Sequence, residues 1–205
     1  MMAAMARAAL VGGAVGIRAD APADISAIRA AVPLPIIGIY KQHLPTFDVY
    51  ITPTLEAARQ VIDAGANLLA VDATGRLRPG GLTAAAFIKK CKAEFSVPVM
   101  ADVSTFDEAL AAAEAGADLV ATTLVGFTAY SQPVSLPDFE LVERMVKFSP
   151  VPVVVEGYVS TPEDARLAFD LGAYAVVVGA AITQPQWITR RFVEAINQSR
   201  DHGKS

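Results

Sequence analysis

The chain has 205 residues, 53% of them hydrophobic and 19% charged, which supports one well-filled globular core and excludes a disordered chain. A net charge of −4 and a pI near 5.2 offer no broad attraction to nucleic acid or anionic lipid, although a local basic pocket can still hold one small anion. The longest uncharged apolar runs, Ala8 to Ile17 and Leu171 to Ile182, fall short of the roughly 20 residues that cross a bilayer, and the lone Cys91 permits no internal disulfide, CxxC pair or Cys/His zinc set. Cys91 reads as a passenger thiol in a protein of a reducing compartment.

A helix opens the chain and ends at Gly12-Gly13, and a short strand follows at 14–18. Arg7 before that run and Ala19-Asp20-Ala21 after it mimic a secretory signal, but the same pattern of helix, glycine and strand recurs at Ala64-Gly65-Ala66, Ala115-Gly116-Ala117 and Leu171-Gly172-Ala173. The glycines Gly13, Gly65, Gly116 and Gly172 are spaced by 51 to 56 residues, each where a helix ends in the left-handed conformation. Between these repeats stand proline-led apolar runs, Leu34-Pro35-Ile36-Ile37, Val97-Pro98-Val99-Met100 and Val151-Pro152-Val153-Val154, so each period contains two β/α units. Thr52-Pro53 and Thr161-Pro162 signal helix starts, and Thr105 with Glu108 forms a capping box.

Strands are therefore expected at 14–18, 35–40, 67–72, 97–102, 118–123, 151–156 and 174–179. They are continuous apolar runs, as parallel strands buried on both faces are, with no antiparallel hairpin and no GxGxxG turn between them. The expected fold is an α/β TIM-type (β/α)8 barrel in which seven strands are visible and the first is missing, one domain over 1–198 with a polar tail at 199–205. A gap of one strand leaves two unpaired edges that invite association.

In such barrels chemistry sits at the carboxyl ends of the strands. Here those ends read Arg18, Lys41, Asp72, Asp102, Thr122-Thr123, Glu156 and Gly179, and solvated surface charge would not fall so regularly. Asp72 and Asp102 also suit loop or helix caps, and Arg18 suits a partner to either. Lys41 and Glu156 follow strongly apolar runs, where an unused charge is costly, so they are the candidate catalytic pair. His43 reads as a loop residue and His202 as part of the tail. The small turns Glu156-Gly157-Tyr158 and Val178-Gly179-Ala180 after the last two strands suit a phosphate cradle, and together with the charged strand ends they point to a phosphorylated small metabolite.

On these residues the chain resembles the bacterial N-acylglucosamine-6-phosphate 2-epimerases, also called N-acetylmannosamine-6-phosphate 2-epimerases, almost end to end. The resembling stretches include Gly16-Ile17-Arg18-Ala19, Gly38-Ile39-Tyr40-Lys41, Val49-Tyr50-Ile51-Thr52-Pro53-Thr54, Val71-Asp72-Ala73-Thr74, Arg78-Pro79, Ala101-Asp102-Val103-Ser104, Thr122-Thr123-Leu124, Pro137-Asp138-Phe139, Glu156-Gly157 and Gly179-Ala180-Ala181-Ile182-Thr183. The resemblance implies a cytoplasmic, homodimeric isomerase of sialic acid and amino-sugar breakdown, working on a phosphorylated amino sugar without metal or organic cofactor. It implies Lys41 and Glu156 as catalytic residues and Arg18 and Asp102 at the substrate; by their places at strand ends and turns, Asp72 and Thr123 are further substrate-binding candidates and Gly157, Gly179 and Ala180 are the phosphate-binding candidates. Tyr158 and Gln184 stand where the family typically has arginine, and a strand the family carries upstream is lacking. Lysine acts as a base once its pKa is lowered, which an apolar strand end near Arg18 favours and Glu156 opposes. The alternatives are a Schiff-base aldolase or synthase using Lys41, and a non-catalytic sugar-phosphate-binding barrel.

Overall fold

The computed structural model describes residues 1–131 and 135–202. Helix α1 (Met2–Val11) leads into seven parallel strands hydrogen-bonded in chain order: β1 (Ile17–Asp20), β2 (Ile36–Ile39), β3 (Leu68–Asp72), β4 (Val99–Asp102), β5 (Leu119–Ala121), β6 (Val153–Glu156) and β7 (Ala175–Val177). Helices α2 (Pro22–Arg29), α3 (Leu55–Asp63), α4 (Ala84–Glu94), α5 (Phe106–Glu114), α6 (Phe139–Phe148) and α7 (Pro162–Asp170) alternate with them, and α8 (Ala180–Thr183) and α9 (Pro185–His202) follow β7. This is a TIM-type barrel of seven strands, nearly closed, and among the described residues no ladder joins β7 back to β1. The backbone of α9 continues to His202, into the segment expected as a polar tail, and residues 203–205 lie outside the described residues.

The punctuation read from sequence sets these elements. Gly13, Gly65, Gly116 and Gly172 follow α1, α3, α5 and α7 with φ near +94°, +104°, +100° and +98°, a conformation that side chains with a Cβ resist. Thr105 and Thr161 close capping boxes with Glu108 and Asp164, each cap stabilising its helix by about 1 kcal/mol.

Strands β2 to β7 are one or two residues shorter at one or both ends than expected, and two further differences bear on the site. Strand β1 spans Ile17–Asp20 instead of 14–18, because its ladder with β2 begins at Ile17↔Ile36 and Ala14 to Gly16 form the turn out of Gly13. The cap of α3 is Thr54 instead of Thr52. Thr52 is buried at φ +47°, where its hydroxyl accepts the Tyr40 N–H at 3.1 Å and donates to the Ala70 carbonyl at 2.8 Å, stitching the end of β2 to β3.

Strand alternation divides the core in two. One set of side chains faces outward to the helices, including Ile36, Leu69, Val71, Val99, Ala101 and Val153. The inward set is smaller, with Ile39, Ala70, Met100, Ala121 and Val154 filling the barrel and Ile51 closing it from the loop after β2. The same parity turns Arg18, Asp72, Asp102 and Glu156 inward. Gly38 faces the helices: a Cβ there would stand 2.4 Å from Val61 and 2.6 Å from Ala66, so glycine lets α3 seat against β2.

Candidate active site

Arg18 lies inside β1, two residues before its end, and reaches across the barrel mouth. Its guanidinium makes two bonds to Asp102, Nη1 to Oδ1 at 3.1 Å and Nη2 to Oδ2 at 2.5 Å, and Nη1 also stands 2.8 Å from Glu156 Oε2. The Thr123 hydroxyl, on the single 3-10 turn after β5, lies 2.8 Å from Asp102 Oδ1 and 3.2 Å from the same Glu156 Oε2. Its neighbour Thr122 accepts the Glu156 N–H at 3.0 Å and donates to the Glu156 carbonyl at 2.9 Å, fixing the glutamate backbone. Strands β1, β4, β5 and β6 thus bring Arg18, Asp102, Thr123 and Glu156 into one cluster.

One cation serves two carboxylates here, and the protonation balance follows. Burial works against the Arg18 charge, but Asp102 and Glu156 outweigh it and raise the guanidinium above its ordinary range. Burial pushes the Glu156 carboxyl up to about 7; Arg18 opposes the rise, Asp102 adds to it, and Lys41 opposes it.

Lys41 stands two residues past β2, where an antiparallel bridge to Ile51 interrupts the all-parallel pattern expected from the sequence. Thr52 N–H to the Tyr40 carbonyl, Gln42 N–H to the Tyr50 carbonyl, and Lys41 N–H to Asp20 Oδ1 at 2.9 Å hold its main chain. The side chain itself is exposed, so the desolvation expected at an apolar strand end is not what this structure provides. Tyr50 returns from that loop over the barrel, with His43 stacked on it at 5.2 Å and the Arg76 guanidinium 5.8 Å from its ring.

Asp72 is fully buried next to Asp102 in the ladder, yet it joins a different group. Its Oδ1 accepts the Thr74 N–H and hydroxyl at 3.0 and 2.7 Å, and its Oδ2 pairs with Arg76 at 2.5 Å. The carboxylate orders the loop after β3, and burial pushes it above its ordinary range against Thr74 and Arg76. Arg78, also buried, donates to the carbonyls of Pro53 and Asp72 and lies 4.0 Å from the centroid of the Phe87 ring, tying that loop to α4. Burial pushes the guanidinium down to about 10.

The turns after β6 and β7 are neighbours, since Glu156 pairs with Val177. Gly157 has φ +96°, and Gly179 is the N-cap of the short α8 that starts at Ala180. Tyr158 is also left-handed, at φ +59°, half-exposed and stacked on Phe127 at 5.3 Å, and Gln184 closes α8. Cys91 is buried and its thiol is pushed up to about 12 by burial, as suits a structural residue.

Sequence comparison then places the chain. The family model described as "Putative N-acetylmannosamine-6-phosphate epimerase" matches residues 2–198. The chain belongs to this family. A relative from Caldanaerobacter subterraneus subsp. tengcongensis, named "Putative N-acetylmannosamine-6-phosphate 2-epimerase", is 49% identical over 201 residues, covering 98% of this chain and 85% of the relative. One of the same name from Clostridioides difficile is 47% identical over 196 residues, 96% of this chain and 87% of its own. The solved structure of the N-acetylmannosamine-6-phosphate 2-epimerase from Clostridium perfringens superposes with a TM-score of 0.90 at 42% identity, over 94% of this chain and 84% of that one.

In this epimerase-family chain, three residues that surround the candidate site were not singled out from the sequence: Asp20, Tyr50 and Arg76. Asp20 was hidden by the displaced first strand. Tyr50 lies within the resembling stretch Val49-Tyr50-Ile51-Thr52, and Arg76 four residues after Asp72 has the spacing of a local ion pair; both were signals that pattern reading can catch.

Proposed function

We propose that this chain interconverts N-acetylmannosamine 6-phosphate and N-acetylglucosamine 6-phosphate by removing the C2 proton and returning one to the opposite face, as a step of sialic acid and amino-sugar breakdown. The observation that carries the reading is the Arg18–Asp102–Thr123–Glu156 cluster at the strand ends, with the Lys41 charge acting on Glu156. In the ring-opened sugar the C1 aldehyde acidifies the C2–H bond. The reaction therefore needs one group to take a proton, one to return it, and donors to steady the enolate oxygen.

Lys41 and Glu156 are those two groups. A carboxyl pushed up to about 7 exchanges a proton readily near neutral pH, as a general acid/base must. Arg18 and Asp102 orient it from beneath the substrate, with Thr123 beside them, while Asp72 shapes the adjoining loop. The backbone N–H groups of Gly157, Gly179 and Ala180 anchor the 6-phosphate from two adjacent turns, and that remote binding energy holds C2 against the acid/base pair.

Lys41→Ala tests the reading. In deuterated solvent the variant is expected to lose both epimerisation and wash-in of deuterium at C2, while its melting temperature changes little because the side chain is exposed. Exchange continuing at the original rate would remove Lys41 from the chemistry.

The protein works in the cytoplasm as a homodimer. No described helix is long and apolar enough to cross a membrane. Among the described residues β1 and β7 have no ladder partner on their outer sides, and the segments adjoining them in the chain carry exposed Val11, Val15, Tyr174, Ile182 and Phe192, apolar surface that association would cover.

A further inference from the structure

We propose that the Thr123 hydroxyl is a one-hydrogen switch that positions the Glu156 carboxyl and follows its charge, donating to Asp102 when Glu156 holds a proton and to Glu156 when it does not. The inference rests on the reading that Glu156 exchanges a proton with substrate. A hydroxyl has a single hydrogen. Thr123 Oγ1 nevertheless faces two carboxyl oxygens within hydrogen-bond range, Asp102 Oδ1 at 2.8 Å and Glu156 Oε2 at 3.2 Å. It can donate to one of them, and the other contact has a hydrogen only if that carboxyl supplies it.

The surroundings decide which carboxyl does. Asp102 is fully buried and receives two hydrogen bonds from the Arg18 guanidinium, whereas Glu156 has one ion-pair contact with it and keeps its side chain 16% exposed. The exchangeable proton therefore belongs on Glu156, giving a chain in which Glu156 donates to Thr123 and Thr123 donates to Asp102. On ionisation the hydroxyl turns about its C–O bond and donates to Glu156, and Asp102 keeps both bonds to Arg18. No heavy atom has to move. Thr122 holds the Glu156 backbone through its N–H and carbonyl, so two threonines of one turn grip a single glutamate at its main chain and at its carboxyl.

The charged and titratable groups facing Glu156 are Arg18 from β1, Lys41 after β2 and Asp102 from β4; Tyr50 stands behind Arg18 and Asp102, and Val177, paired with Glu156 from β7, is apolar. Arg18 and Lys41 favour the ionised form, and burial and Asp102 disfavour it. Thr123, bonded to both carboxyls, responds to the proton by reorienting its one hydrogen.

The test is a carbon-13 carboxyl NMR titration of the unliganded protein labelled in glutamate, with the Glu156 signal identified by its loss in Glu156→Gln. Thr123→Val removes the hydroxyl at nearly constant shape and is expected to move the Glu156 midpoint down by about half a pH unit to one, because Thr123 carries two bonds when Glu156 is protonated and one when it is ionised, a difference of one neutral hydrogen bond. Thr123→Ser is expected to return the midpoint to that of the parent, and the pH profile of kcat/KM is expected to move in parallel. A merely structural threonine would lower activity or stability without displacing the midpoint. Should Thr123→Val fail to fold, Thr123→Ala is expected to displace the midpoint in the same direction. A midpoint unmoved in the folded variants overturns the switch and leaves the role of Glu156 intact. The absence of a high-titrating signal that vanishes in Glu156→Gln overturns the role of Glu156 and the switch together.

Discussion

Replacing Glu156 by glutamine preserves the shape of the side chain and removes its charge, and the structure sets both the size of the effect and its dependence on pH. The side chain is 16% exposed, and its carboxyl rises from the ordinary 4.5 to about 7. Between those values the folded protein binds more protons than the unfolded chain, so this group makes stability fall as pH rises through the window. At about 1.4 kcal/mol per pH unit, the span amounts to about 3 kcal/mol of destabilisation once pH exceeds 7. Glutamine cannot ionise and escapes that cost. Urea unfolding of both proteins from pH 4.5 to 8.5 should therefore give equal stabilities at the acid end and an advantage of about 3 kcal/mol for Glu156→Gln at pH 8, in a protein that has lost most of its turnover. A stability difference that stays constant across this range, or a variant weaker than its parent at pH 8, would refute the assigned protonation balance.

Gly38→Ala is expected to destabilise the fold by about 1–3 kcal/mol, because its Cβ would overlap Val61 and Ala66; thermal or urea unfolding reads this directly. Gln184→Arg adds a charge beside the turns that follow β6 and β7, and is expected to lower KM for the 6-phosphate substrate with little change in kcat; an unchanged or higher KM would show that the phosphate lies elsewhere. The open flank between β7 and β1 predicts association in solution, measurable by light scattering, and a version carrying an additional N-terminal β-strand is expected to gain melting temperature and activity together. A monomer matching that version in both properties would contradict it.

Much of the barrel was legible because each strand is a short apolar run, delivered alternately by a helix that ends in glycine and by a proline-led turn, a local pattern needing no tertiary knowledge. The misses have tertiary causes. Ala14, Val15 and Gly16 have the small and apolar character of a strand, but pairing with β2 starts only at Ile17, and that displacement moved the apparent strand end from Asp20 to Arg18. Thr52 and Thr54 are equivalent as caps on paper. Burial between Tyr40 and Ala70 takes the Thr52 hydroxyl and leaves the cap to Thr54.

The same distinction explains the site. Asp72 and Asp102 are partners in the ladder and occupy equivalent strand ends, so no local feature separates them. Their fates diverge through their cations. Arg76 is four residues from Asp72 and neutralises it within its own loop, whereas Arg18, 84 residues from Asp102 in the chain, must also serve Glu156. Because its cation is shared, the Asp102 cluster has one guanidinium for two carboxylates, and it can take up a proton on Glu156 or draw on the Lys41 charge. The loop pair at Asp72 is already balanced and has no such deficit. We therefore propose proton exchange at Glu156, beside the shared arginine.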